Sequence, residues 1–390
     1  MVDFLKNIKN KIFNLKGLTT IGIADIFGMG ISAGFWLILA SIMSVEEYGE
    51  IIYLIALVSI AQASSVVGSP NTIMVFSSKQ SKIIPTLMFL SLIFALVSSL
   101  IIFLITQKIE LLFLVFSFLI FEISIHVLLG KKFYKKYSQF IFIQRILQFI
   151  LGISFYFVFE LNGVLFGIIL SNLPLLIIFY KEIKISKLDF SLLKLKKDFI
   201  ISNYSIRLVK IFRKEIDKII IVPLLGFTIL GNFALSIQFY TILMVFSSIS
   251  FKFLVPEEAT GAKNKNLKKA LILSSIIISF TSFFISPFII ENLFTKFYES
   301  IIPIQIISFS VIPSTIGMVL YSKILALEKS KLLLLASIIQ LLSVLLGTIL
   351  LGFFFGIIGI SFSFLIASIV YATTLAMINY RLIGMKKFDI

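Results

Sequence analysis

The chain is 390 residues long and contains no cysteine and one histidine. Without thiols there is no disulfide, thiolate zinc site, iron–sulfur cluster or cysteine nucleophile, and a lone histidine argues against a histidine-rich metal site. Charge is scarce as well. Asp, Glu, Lys and Arg make up 14% of the residues, where a soluble domain carries about a quarter. That shortage excludes an ordinary cytosolic enzyme, and a disordered chain needs the opposite bias. No Walker-type phosphate loop occurs, so any ATP-driven step needs another subunit.

What is present is apolar: 59% of the chain is Ala, Val, Ile, Leu, Met, Phe, Trp, Tyr or Cys. Apolar stretches fall at 17–42, 51–70, 83–106, 111–130, 142–159, 163–180, 199–225, 231–255, 270–290, 301–322, 332–352 and 357–378. Each is close to the roughly 20 residues that a helix needs to cross a bilayer, and too long and continuous for barrel strands. The net charge of +16 follows this pattern. Twenty-six Lys and Arg fall in alternate loops and at the termini, and only Lys108 and Lys296 fall in the others. By the positive-inside rule both termini are expected in the cytoplasm, in a multi-pass protein of the cell membrane. The partner surface this implies is lipid and not nucleic acid. The basic start runs into a full-length span, so it reads as an uncleaved first helix. Within residues 1–16, Leu5, Ile8, Ile12 and Leu15 share a helical face, which suits an amphipathic helix on the anionic leaflet. A disordered basic tail is the other reading.

The longest loop, 181–198, separates six spans from six. Leu188, Leu192 and Leu195 recur there at helical spacing among lysines, as in a second interfacial helix. The segments at 38–57 and 220–239 echo each other: a span ends, a short loop follows, then a glycine (Gly49, Gly231) and a new apolar helix, 182 residues apart. An even number of spans per half gives both halves the same orientation, hence parallel repeats. The expected fold is therefore all-α integral membrane, with about twelve transmembrane helices in two six-helix bundles related by a parallel pseudo-two-fold repeat. The bundles are expected at 17–180 and 199–378, joined by the amphipathic connector 181–198 and followed by a cytoplasmic tail, 379–390.

A Lys-rich start into a glycine-rich first span, SVEEYGEIIYLIALVSIAQASSVVGSPNTI at 44–73 and RKEIDKIIIVPLLGFTILGNFALSIQFYTIL at 213–243 stand in this order. In these the chain resembles the Wzx-type polysaccharide and O-antigen repeat-unit flippases of the multidrug/oligosaccharidyl-lipid/polysaccharide (MOP) exporter superfamily. The resemblance covers nearly the whole chain and rests on the order and spacing of loose patterns. It implies a central cavity that opens alternately to each side, and an oligosaccharide carried on a polyprenyl pyrophosphate. A monomer is likewise implied by the family and not by the residues.

Segment 199–218 places charges where lipid is expected. The apolar run 219–230 has 12 residues and rises about 18 Å, short of the ~30 Å hydrocarbon core, so the seventh span must draw on the charged segment. Asn203, Arg207, Lys210, Lys214 and Asp217 follow at helical spacing. Intramembrane cations face an aqueous cavity or a partner, and this stripe is expected to line the cavity and to hold a pyrophosphate through fork-like Arg and point-charge Lys contacts. The other reading is a cytoplasmic amphipathic helix whose lysines snorkel. Arg213 and Lys218 are expected off the stripe, near a flank. Arg145, beside Gln144 and Gln148, is either a phosphate or sugar contact or an inner-leaflet anchor; Gln238 and Gln340 offer either sugar contacts or interhelical bonds.

Asp25 in the first span, and Glu122 with His126 one turn apart in the fourth, are expected to bind a coupling proton or sodium ion, unless they are paired structural contacts. Asp217 either joins them or serves as counter-ion to Lys210 or Lys214, of which Lys214 is the closer. No cofactor and no metal centre is expected. The reading is a flippase and not an enzyme. The alternatives are a multidrug exporter of the same superfamily, whose cavity should favour acidic and aromatic residues, and a membrane polymerase or glycosyltransferase, which needs a sizeable outer loop. The largest here, 291–300, has about ten residues.

Overall fold

The computed structural model describes residues 2–184, 188–259, 264–327 and 329–388, with side chains in residues 20–382 of these apart from 252, 253, 256 and 259. Its helices are α1 (Val2–Ile42), α2 (Val45–Ser65), α3 (Pro70–Ser78), α4 (Ile84–Thr106), α5 (Ile109–Gly130), α6 (Tyr134–Ser171), α7 (Leu176–Lys184), α8 (Phe190–Leu195), α9 (Lys197–Leu243), α10 (Val245–Ala259), α11 (Lys265–Leu293), α12 (Ile301–Ser308), α13 (Val311–Ala326) and α14 (Ser330–Phe388). The backbone of the basic start is helical and continuous with α1, while the side chains of the expected amphipathic face lie outside the described residues.

Eight helical stretches are long and apolar enough to cross a membrane. Three of them, Tyr134–Lys184, Lys197–Leu243 and Ser330–Leu382, run to 51, 47 and 53 residues, more than twice a span. Each is broken midway by a non-helical residue: Glu160 (φ 52°), Gly226 (φ 86°) and Gly356 (φ 56°). The helices Thr295–Ser308 and Val311–Ala326, bent by 41°, make one further span. Counting each broken stretch as two gives twelve helical segments of about span length among the described residues. Leu104, Phe157, Phe284, Phe353 and Phe354 are all at least 70% exposed. Water would not tolerate such a surface, and lipid does. The protein is an all-α, multi-pass membrane protein.

The chain divides into two compact units, residues 1–36 with 57–208, and residues 37–56 with 209–390. The division passes through α1, α2 and α9, and groups the tip of the α1–α2 hairpin with the C-terminal helices. A close backbone crossing inside the second unit accounts for that grouping. A Cβ on Gly49 would stand 1.9 Å from the Phe227 carbonyl oxygen, and one on Gly231 would stand 2.1 Å from that of Val45. Position 45 precedes Gly49 by as much as 227 precedes Gly231. The contact is thus reciprocal, the signature of a two-fold relation. Only residues without a side chain let two helices meet this closely.

Each unit also carries the same hairpin. In the first, Gly163 lies against the Phe155 carbonyl, so that a Cβ would sit 2.0 Å from it, three residues after the break at Glu160. In the second, Gly359 lies against the Leu351 carbonyl at 1.9 Å, three residues after the break at Gly356. The breaks share their backbone angles, φ 52° with ψ −137° and φ 56° with ψ −137°. Small hydroxyl residues supply further close packing. On α11 the buried Ser279 donates to the Ser308 carbonyl at 2.8 Å, and Ser282 shares a 2.7 Å bond with the Ser308 hydroxyl. At the start of α2 a capping box forms: the Ser44 amide donates to the Glu47 carboxylate at 2.8 Å, and the Glu47 amide to the Ser44 hydroxyl at 3.1 Å.

Candidate functional site

α9 is helical from Lys197 to its break at Gly226. The charged segment and the short apolar run therefore belong to one continuous helix. Its cations meet two different fates.

In the first unit, Arg207 is consumed. Its two terminal nitrogens each donate to a Glu122 oxygen at 2.6 Å, a bidentate fork, and Nη2 also donates to Gln62 Oε1 at 3.0 Å. Gln62 Nε2 closes the ring on Glu122 at 2.6 Å. One turn earlier, the Tyr204 hydroxyl donates to the Ser64 carbonyl at 2.7 Å. The Arg207 side chain is 12% exposed. Planar fork-to-carboxylate geometry of this kind is among the strongest side-chain contacts. Arg207 was expected to face a phosphate; here its counter-charge is supplied by Glu122 of α5. The Asn203 side-chain amide donates to the Phe199 carbonyl of its own helix at 2.9 Å. His126 turns to the backbone of its own helix. Its Nδ1 donates to the Glu122 backbone carbonyl at 2.8 Å, the bond that the one-turn spacing of a helix offers to any side-chain donor.

In the second unit, Lys210, Arg213, Lys214, Asp217 and Lys218 all line one cavity of about 580 Å³. The spacing i, i+3, i+4, i+7, i+8 covers one helical face, wider than the single row expected. Arg213 and Lys218, expected on a flank, lie on the cavity wall. Tyr240, Tyr321, Tyr371, Ser314, Ser337 and Gln340 share it. Arg213 Nη1 donates to Gln340 Oε1 at 2.9 Å, and its guanidinium sits 5.5 Å from the centre of the Tyr371 ring, a cation–π contact. The Tyr240 hydroxyl donates to Ser314 Oγ at 2.7 Å.

The counter-ions here are arranged differently from the expected Lys214–Asp217 pair. The buried Glu215 takes Lys218 at 2.6 Å and Lys214 at 3.0 Å. Asp217 accepts the Lys218 amide at 2.9 Å, with the Lys218 ammonium at 4.0 Å. Asp217 is thus a partner of Lys218. Glu215 was not foreseen, because it points to the neighbouring face; its i−1 and i+3 lysines were the available signal. Lys210 and Arg213 have no carboxylate within ion-pair distance among the described residues. The cavity accordingly offers two uncompensated cations, three phenols and an amide, the donors that a phosphate and a glycan hydroxyl need.

The remaining residues lie in the first unit. Tyr137 donates to Asp25 Oδ1 at 2.7 Å, fixing the carboxylate. Arg145 donates to Gln148 Oε1 at 3.1 Å, and Gln144 bonds the same oxygen at 3.1 Å and Ser171 at 3.3 Å. No group of three or more His, Cys, Asp or Glu able to hold a metal comes together among the described residues.

No family model matches the chain, and no curated protein matches it in sequence. Its fold, in contrast, is shared with solved transporters. A lipid II flippase, MurJ, in an inward closed conformation superposes with a TM-score of 0.74 at 16% identity, covering 92% of this chain and 86% of that one. An inward-facing multidrug resistance transporter of the MATE family, within the MOP superfamily, gives 0.71 at 13% identity, covering 93% and 96%. A MATE transporter of Vibrio cholerae, VcmN, gives 0.61 at 15% identity, covering 95% and 97%. The chain shares the fold of these transporters.

Proposed function

We propose that the protein is a flippase that moves a polyprenyl-pyrophosphate-linked oligosaccharide repeat unit from the cytoplasmic to the outer leaflet of the cell membrane by alternating access. It works as a monomer with both termini in the cytoplasm, and it transports its substrate without chemically changing it. The observation that carries this reading is the second-unit cavity, where Lys210 and Arg213 have no ion-paired carboxylate among the described residues and stand among tyrosines, serines and Gln340. A diphosphate satisfies the cations, and the phenols and amide suit sugar hydroxyls. In a partly desolvated cavity these contacts strengthen as the effective dielectric falls. The fold neighbour described as a lipid II flippase supports a lipid-linked substrate.

The multidrug-exporter reading has the MATE neighbours in its favour, but a cavity with four cations and one carboxylate on its wall is set against cationic drugs. Energy enters where an ion binds one state better than the other. Glu122 and Asp25 are the proposed coupling carboxylates, for a proton or a sodium ion; a proton on Glu122 would remove the partner of Arg207.

Deletion of the gene, followed by locating the lipid-linked glycan, tests the function. Accumulation in the inner leaflet is the expected result. Failure to synthesise or polymerise the glycan would point to an enzyme instead. Replacing Asp25 or Glu122 by the amide should abolish gradient dependence at the coupling site, and unchanged dependence rejects that residue.

A further inference from the structure

The first unit holds a second built cavity that the flippase reading does not use. It lies where α3 and α5 end and α4 and α6 begin, and encloses about 660 Å³. Two helix ends of the same geometry form it. After α3, the Gln80 and Ser81 amides donate back to Ser77 and Phe76; after α5, the Lys132 and Phe133 amides donate back to Leu129 and Leu128. Both turns put a non-glycine residue at positive φ, Gln80 at 49° and Lys132 at 59°, where glycine is the usual choice. Both residues are on the cavity wall.

The wall is basic and rich in donors. Lys82, Lys131 and Lys132 line it with Ser77 and Ser81. One carboxylate, Glu182, is present, and it is bound by Lys131 at 2.6 and 2.8 Å. Lys82 and Lys132 have no ion-pair partner among the described residues, and Lys82 acts only through space on the Asp189 carboxylate. Ser77 is 1% exposed and its hydroxyl has no hydrogen-bond partner. A buried, unspent donor on a cationic wall calls for an acceptor. The first turn of α4 also forms part of the wall, although its Ile84 amide is taken by the Ser81 carbonyl and Pro85 has none; α6 has no side-chain cap at its start, so its first amides remain open to an anion.

We infer that this cavity binds the phosphate group of an anionic phospholipid. Its position at the edge of the lipid-facing surface selects the lipid over a soluble anion. Ile143, Leu176 and Ile177 nearby on the outer faces of α6 and α7 are 39–57% exposed. They give way to the exposed lysines 135, 136, 181 and 184. Phe133 on the cavity rim has the Lys136 ammonium 5.3 Å from its ring centre, and Tyr180 has that of Lys184 at 5.8 Å. Half-exposed aromatics beside cations are what the headgroup layer favours.

The test uses the full-length protein in a neutral detergent, titrated with phosphatidylglycerol, phosphatidylcholine, or inorganic phosphate and pyrophosphate, with thermal unfolding as the readout. Phosphatidylglycerol is expected to raise the Tm by about 3 °C relative to phosphatidylcholine. The Lys82→Ala/Lys132→Ala double variant should lose most of that shift. Glu182→Gln, which releases Lys131, should enlarge it, so that the two variants move in opposite directions. No shift specific to phosphatidylglycerol, or a full shift in the double variant, overturns the site. An equal shift with inorganic phosphate or pyrophosphate overturns the lipid as its source.

Discussion

The two units build the same hairpin and spend their interior charges in opposite ways. In the first, the break at Glu160 and the crossing at Gly163 match, position for position, the break at Gly356 and the crossing at Gly359 in the second. Yet Arg207 in the first is bound on both forks by Glu122 and held again by Gln62, whereas Lys210 and Arg213 in the second face a cavity with only neutral partners. All three cations belong to α9. One helix can therefore serve a structural clamp and an open site, and what separates them is whether a neighbouring helix supplies a carboxylate.

The strongest way to break the equivalence of the hairpins is to fill their crossings. Gly163→Leu and Gly359→Leu each drive a side chain into a carbonyl that already stands within about 2 Å of the Cβ position. Neither variant should yield monodisperse protein in detergent, since overpacking against backbone cannot be relieved by a rotamer change. A tolerated leucine at one position alone would mean that the hairpins only look alike.

The clamp and the cavity separate next. Arg207→Ala leaves the half-buried Glu122 without its cation, and should cost about 2 kcal/mol in unfolding stability. Arg213→Ala removes a side chain bonded to neutral groups and should leave the Tm within a few degrees of the parent. It should, however, reduce glycan translocation about tenfold, with Lys210→Ala acting similarly. The reverse pattern, with transport lost in a stable Arg207→Ala protein and kept in Arg213→Ala, would move the substrate site to the first unit.

A smaller effect tests the breaks. Glu160 occupies a φ/ψ region that only glycine enters freely, so Glu160→Gly should raise stability by about 1 kcal/mol, while Gly356→Ala should lower it by a similar amount. The smallest effect concerns the connector. Asp189 caps α8 by accepting the Ser191 and Leu192 amides, and its backbone amide donates to the Thr86 hydroxyl at 2.8 Å. The Ser191 hydroxyl, with the Leu192 amide next in weight, holds its carboxyl below the usual range. A depressed folded pKa stabilises above the ordinary carboxylate pKa and is lost as the pH falls through the folded value. Amide exchange at 191 and 192 should therefore be protected at neutral pH and lose that protection in acid, and Asp189→Asn should flatten the dependence.

Much of this was legible in the residues. The bilayer allows helices and closed barrels only, so apolar run lengths and loop lysines were enough to expect twelve spans. The short run at 219–230 called for a helix that continues into the charged residues, and α9 is continuous through both. The glycines at 49 and 231 were visible as an echo, and their reciprocal crossing gives that echo a structural cause. The partners of the cations were not legible. The pairing of Arg207 with Glu122 spans 85 residues and that of Arg213 with Gln340 spans 127, and helical periodicity orders residues within an element but not between elements. Glu215 was legible in principle, since it joins the lysines one residue before and three after it on the same helix.

The sequence by itself determined a membrane-embedded helical protein and the helix that carries its charges, because the cost of exposing a peptide group or a lysine to hydrocarbon is local and is paid residue by residue. Only the tertiary structure decided which of those charges are neutralised and which remain open to a ligand. That depends on where distant helices set their carboxylates, and a Coulomb interaction is fixed by distance in space, on which separation along the chain places no bound.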